Sequence, residues 1–216
     1  MTVPELFVDR RSAGRALAES LAGHTDRGDV VVLALPRGGV PVAFEVAQRL
    51  RASMDVFLVR KLGAPGHAEL AMGALATGGT LVRNDQVIRG LGIGEEMIDR
   101  VVDTERRELD RREHAYRDDR APLDVTGRVV LLVDDGMATG ATMRAAIDAV
   151  RRRRPARVIV AVPVASERAC QQMRLIADGV VCLSTPSTFF AVGQYYADFA
   201  QTTDDEVREL LGLALA

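Results

Sequence analysis

Residues 129–142, VVLLVDDGMATGAT, constrain this chain more than any other stretch. Val129 to Val133 form an unbroken apolar run, mostly β-branched, which reads as a strand buried on both faces. Asp134 and Asp135 stand where that strand should end. A turn rich in Gly and Thr follows, then a helical pattern from Met143. In open parallel sheets, ligands sit off the carboxyl ends of the strands. A turn feeding a helix N-terminus also offers unpaired N–H groups and a positive dipole end to an anion. The Thr139–Thr142 turn therefore suits a phosphate, and the neighbouring carboxylates suit hydroxyls or a metal-bound group. A phosphorylated sugar presents both.

The rest of the chain alternates in the same way. Strand patterns cover residues 30–35, 54–59 (ending at Arg60-Lys61), 157–164 and 179–183. Helical patterns cover 11–21, with Ser12 as N-cap and Gly23 beyond the end, then 41–50, 166–177 and 204–215. Strands alternating with helices imply an α/β fold: a parallel β-sheet flanked by helices, joined by right-handed crossovers. A length of 216 residues suits one domain spanning 1–216. Residues 94–117 read as one long charged helix with a stripe of Met97, Ile98, Val101, Val102, Leu109 and Tyr116. Such a stripe fits a surface helix with a narrow buried seam, or more sharply a dimer contact. Asp118-Asp119-Arg120-Ala121-Pro122 ends it. Residues 62–80 break the rhythm. Their glycines fit either a mobile lid or a β-excursion in which 74–76 pairs with 80–82.

Composition excludes several classes. A net charge of −2 gives no global attraction to nucleic acid. Arg151 to Arg154 close a helix, where cations are favoured anyway. Cys170 and Cys182 stand apart in apolar surroundings and read as separate buried thiols. His24, His67 and His114 lack metal-ligand spacing. With no leader pattern and no apolar run long enough for a bilayer, a reduced, cytoplasmic protein with no membrane partner is expected. Five of the nine aromatic residues cluster between Phe189 and Phe199. They form either a satellite core or a stacking platform for a flat heterocycle.

Segment 129–142 resembles the 5-phosphoribosyl-1-pyrophosphate (PRPP) motif of type I phosphoribosyltransferases, matching without a gap. Receiver domains also carry a strand followed by two aspartates, but early in the chain and with further catalytic residues on later strands. Here the pair is late, and the next strand runs Ala161-Val162-Pro163 without a carboxylate. The resemblance implies that Asp134 and Asp135 hold the ribose hydroxyls. It implies that Ala138, Thr139, Gly140, Ala141 and Thr142 wrap the 5-phosphate. Leu35-Pro36-Arg37-Gly38-Gly39 is similar to the family's pyrophosphate loop, which places Arg37, Gly38 and Gly39 on pyrophosphate and implies a cis or strained Pro36–Arg37 bond. Arg60 and Lys61 match a second pyrophosphate clamp of adenine- and orotate-type members.

By the same resemblance, residues 62–82 correspond to the flexible lid, with His67 and Glu69 near its turn, and residues 184–200 to a hood over the base. Phe190-Ala191-Val192-Gly193 resembles the hood of purine-salvage members, which assigns Phe190, Val192 and Tyr195 to the base. Hypoxanthine-guanine members carry an aspartate just before the Thr-Gly of the phosphate loop; this chain has Ala138 there. The implied activity is transfer of ribose 5-phosphate from PRPP to a heterocyclic base, with Mg2+ held through PRPP and pyrophosphate rather than directly by protein, in a homodimer. The alternatives are a PRPP- or nucleotide-binding regulatory protein and a sugar-phosphate hydrolase using the same acidic pair.

Overall fold

The computed structural model describes residues 6–117 and 120–214. Asp118, Asp119 and the side chain of Glu69, named above, lie outside what it describes. In chain order the elements are α1 (Arg10–Ser20), β1 (Val30–Ala34), α2 (Gly39–Leu50), β2 (Ser53–Val56), β3 (Val59–Ala64), β4 (His67–Ala76), β5 (Thr80–Arg83), α3 (Asp85–Gly90) and α4 (Glu95–Arg117). Then follow β6 (Val129–Val133), α5 (Ala141–Arg152), β7 (Arg157–Val164), α6 (Glu167–Arg174), β8 (Gly179–Ser184) and α7 (Asp204–Leu213).

Five strands form a parallel sheet in the order β2-β1-β6-β7-β8. Every residue of β1 and β6 is buried, as expected of strands covered on both faces. Successive side chains point to opposite faces of a strand, and the core divides accordingly. Val30, Val32, Val129, Leu131 and Val133 pack with α1, α2, α4 and α7. Val31, Leu33, Val130, Leu132, Val158 and Val160 pack with α5 and α6.

Three strands form a separate antiparallel sheet, β3-β4-β5. Ala74, Leu75 and Ala76 pair with Val82, Leu81 and Thr80, the β-excursion that the glycine-rich stretch allowed. The reading of 54–59 as one strand ending at Arg60-Lys61 is corrected here. The chain leaves the parallel sheet after Val56, and Arg60 and Lys61 lie in β3, paired with Leu75 and Ala74. Phe57 and Leu58 remain buried across the crossing. Buried Thr77 fastens it: the Leu58 amide donates to Thr77 Oγ1 at 2.8 Å, and the Thr77 amide donates to the Leu58 carbonyl at 2.9 Å.

Two further corrections concern single residues. The N-cap of α1 is Asp9, which accepts from the Ser12 amide at 2.6 Å, while Ser12 Oγ accepts from the Asp9 amide at 3.0 Å. Ser12 is thus the reciprocal member of a capping box rather than the cap itself. Cys170 and Cys182 are joined as a disulfide, because α6 packs its buried face on β8. The arginine run is also less free than a solvated terminus: Arg151 donates to the Ile176 carbonyl at 2.8 Å, and Arg153 donates to the Leu123 carbonyl at 2.8 Å. The buried seam of α4 is Ile98, Val102, Leu109 and Tyr116. No helix among the described residues is long and apolar enough to cross a membrane.

Candidate functional site

Asp134 and Asp135 follow the last residue of β6, at the carboxyl edge of the parallel sheet. Asp134 Oδ1 accepts from the Asp135 amide at 2.9 Å. Burial raises the Asp134 carboxyl well above the ordinary carboxylate range, and the adjacent Asp135 charge adds to the shift. Burial also raises Asp135, although Arg10 opposes this.

The turn after β1 lies directly on these carboxylates. A Cβ on Gly38 would fall on the Asp135 carboxylate. A Cβ on Gly39 would stand 2.8 Å from the Val133 carbonyl oxygen and 2.9 Å from Asp134 Cα. Gly39 faces main-chain atoms and must be glycine for the two turns to approach this closely, whereas a side chain at position 38 would have to displace the Asp135 carboxylate. The Pro36–Arg37 peptide is cis, as the resemblance implied.

Beyond the acidic pair, the main chain turns into α5 through Gly140, whose φ of 72° is left-handed. The Met137 amide donates to the Val164 carbonyl at 3.0 Å, tying the loop to β7. Ser166 Oγ donates to the Ala138 carbonyl at 2.7 Å, and Thr139 Oγ1 accepts from the Ala141 amide at 3.3 Å. Ala138, Thr139, Ala141 and Thr142 are exposed. The first turn of a helix leaves its N–H groups without intrahelical partners, so the start of α5 presents donors beside the two carboxylates.

The aromatic segment supplies the third wall. Val192 packs against Gly136, where a Cβ would meet Val192 Cγ1 at 2.6 Å. Tyr196 Oη donates to the Asp135 carbonyl at 2.6 Å. Tyr195 stacks on Phe189 with ring centroids 5.4 Å apart, while Phe190 is 78% exposed.

Arg10 belongs to this site and was not singled out from the sequence. Its Nε donates to Asp135 Oδ2 at 2.8 Å, a terminal nitrogen donates to the Ala200 carbonyl at 2.6 Å, and the guanidinium lies 3.9 Å from the centroid of Phe199. Of the three remaining candidates, two have carboxylate neighbours outside the acidic pair. Arg60 donates to Glu105 of α4 at 2.7 Å. Lys61 is exposed, one residue along β3 and so on its opposite face. Arg37 lies 3.7 Å from Asp204 of α7.

Two adjacent carboxylates supply hard oxygen donors, the type that suits a divalent cation carrying its own waters and phosphate ligands. Among the described residues, no group of three or more His, Cys, Asp or Glu gathers to form a protein cage.

Comparison with known proteins places this geometry among relatives. A family model described as "Phosphoribosyl transferase domain" matches residues 9–200. The Mycobacterium tuberculosis protein named "Putative phosphoribosyl transferase Rv0571c" is 48% identical over 210 residues, which cover 97% of this chain. The chain spans about half the length of that relative, 47%. "Bifunctional protein PyrR" of Roseiflexus sp. is 29% identical over 172 residues, covering 79% of this chain and 74% of that protein. Among solved structures, TT1426 of Thermus thermophilus superposes with a TM-score of 0.86 at 47% identity, covering 95% of this chain and 97% of the other.

Proposed function

Since this chain belongs to the phosphoribosyl transferase domain family, we propose that it transfers the 5-phosphoribosyl group of PRPP to a nitrogenous base and releases pyrophosphate. The observation that carries this reading is the seating of Gly38 and Gly39 on Asp135 and Asp134, beside the exposed turn into α5. A sugar bearing phosphates at two ends needs an acidic grip between two anion-accepting turns.

In this reading the 5-phosphate rests on Ala138 to Thr142, held by main-chain N–H groups and the two threonine hydroxyls. Asp134 and Asp135 accept from the ribose hydroxyls. Gly38 and Gly39 receive the pyrophosphate, with Arg37, Arg60 and Lys61 as its cationic partners. Bound Mg2+ would supply charge neutralisation of the departing pyrophosphate. The C1–O bond breaks with its electron pair going to pyrophosphate, and a ring nitrogen of the base gives its lone pair to C1. The carboxylates favour the cationic sugar that develops between these events. Val192, Tyr195 and exposed Phe190 present the base, within a hood formed by residues 184–200. Residues 62–82 close over the pyrophosphate side and exclude water.

A regulatory reading, in which PRPP or a nucleotide binds without transfer, is favoured by one observation: Arg37 and Arg60 are already engaged by Asp204 and Glu105. The same assay separates both readings from hydrolysis. The protein is incubated with labelled PRPP, magnesium and a panel of purines, pyrimidines and small amines. Pyrophosphate together with a base adduct is expected. Binding without product favours regulation, and free ribose 5-phosphate favours hydrolysis. Asp134→Asn combined with Asp135→Asn should abolish turnover with the fold intact; unchanged activity in that variant removes this site.

A further inference from the structure

A cavity of about 260 Å³ opens between the turn after β1, the C-terminal half of α4 and the start of α7. Arg37, Arg111, Arg112, Ala115, Tyr116 and Asp204 line it. Three guanidinium groups from two elements distant in sequence thus share one space. The two on α4 are held in place from behind: Arg111 donates to Glu108 at 2.8 and 3.0 Å, and Arg112 Nε donates to the same carboxylate at 2.7 Å. Across the cavity, Tyr116 Oη donates to Asp204 at 2.6 Å. Burial, and then that bond, push the Tyr116 hydroxyl up to about 12, so it remains a donor at neutral pH. The lining carries three positive charges against Asp204, with the Glu108 carboxylate shared behind the two arginines of α4.

We propose that this cavity is a second anion site, separate from the Asp134–Asp135 site, which takes a compact phosphorylated molecule with one or two phosphoryl groups. The chemical class follows from the donors: the guanidinium nitrogens that Glu108 leaves unused, with those of Arg37, suit phosphate oxygens. The size follows from the volume, which is just below the ~300 Å³ at which pockets for larger organic ligands begin. Arg37 links the two sites, because the next residue, Gly38, lies against Asp135. An anion that draws Arg37 away from Asp204 acts on the turn facing the acidic pair. The existence of the cavity site is independent of the transfer reading; its influence on PRPP rests on that reading.

Calorimetric titration of the full chain with inorganic pyrophosphate, without divalent cation and at low ionic strength, tests this. Two classes of binding are expected. Arg111→Gln with Arg112→Gln should weaken one class at least tenfold and leave the other, which Arg60→Gln with Lys61→Gln should weaken instead. Glutamine is a good helix former, so α4 should persist, and the unfolding temperature checks that loss of the Glu108 ion pairs has not undone the fold. Arg111→Lys with Arg112→Lys, which keeps charge but loses the fork, should give an intermediate loss. An isotherm unchanged by the Arg111 and Arg112 substitutions overturns the second site, as does a single class sensitive only to the Arg60 and Lys61 variant. A single class sensitive only to the Arg111 and Arg112 variant supports the cavity, and PRPP titrated with magnesium present then decides the transfer reading separately.

Discussion

Asp134 sits where a negative charge is costly, and that cost has a measurable sign. Its carboxyl titrates above the ordinary range because burial and the Asp135 charge both oppose ionisation. A carboxyl raised in the folded state contributes its full stability below the unfolded value and loses it as pH rises through the folded one. At neutral pH Asp134 therefore opposes folding. Asp134→Asn keeps an oxygen for the Asp135 amide and should raise stability by roughly 1 kcal/mol at pH 7. Thermal unfolding should show this gain shrinking as pH falls and vanishing below the unfolded carboxyl value of 3.8. A variant less stable than the parent at pH 7 contradicts the assignment. Asp135 is different, because Arg10 stands against it. The acidic pair was legible because strand, carboxylates and turn are consecutive in sequence. Arg10 was not, because its partner lies 125 residues away and neither a helical pattern nor a motif marks it. The pairings of Arg37 and Arg60 were hidden for the same reason.

Among elements, the turn entering α2 is the most demanding. Gly39 faces two main-chain atoms that cannot rotate aside, the Val133 carbonyl oxygen and Asp134 Cα. Gly39→Ala should cost about 1–3 kcal/mol, in the range of an overpacked core position. A matched Gly23→Ala, with nothing within 4 Å of the added carbon, should be close to neutral. Denaturant midpoints of the two variants make the comparison, and equal midpoints would refute the close approach. The parallel strands β1, β6, β7 and β8 were legible as apolar runs between turn signals. The switch from β2 to β3 was not. Phe57 and Leu58 continue the apolar run while the chain changes sheets, and hydrophobicity records burial rather than which sheet does the burying. The pairing of 74–76 with 80–82 was available as one of two readings, since a short glycine-containing connection suits a hairpin.

For the whole molecule, the parallel sheet separates two cores, and the disulfide belongs to the face made by α5 and α6. Cys170 and Cys182 are 12 residues apart. A link closing so short a loop stabilises by about 3 kcal/mol in the chain-entropy model. Cys182→Ser should therefore lower unfolding free energy by about 2–3 kcal/mol in non-reducing buffer and leave it unchanged in reductant. Equal stabilities in both buffers would show that the thiols are unpaired in solution. Sequence spacing could not reveal this bond, because it says nothing about which side of α6 meets β8.

The same scale explains where Arg10 comes from. The Phe7 amide donates to the Tyr195 carbonyl at 2.8 Å, and the Ala197 and Asp198 amides donate back to Phe7 and Val8 at 2.8 and 2.9 Å. This clasp joins the segment leading into α1 to the one following the aromatic cluster. Its assembly sets an order for a chain emerging from a ribosome. All five parallel strands are available once Ser184 has been added, whereas α7, which covers part of one face, follows at Asp204–Leu213. The guanidinium that steadies Asp135 gains its carbonyl and ring partners only after Ala200 has appeared. The setting of Arg10 beside Asp135 is thus completed by residues 195–200, made well after β6 itself.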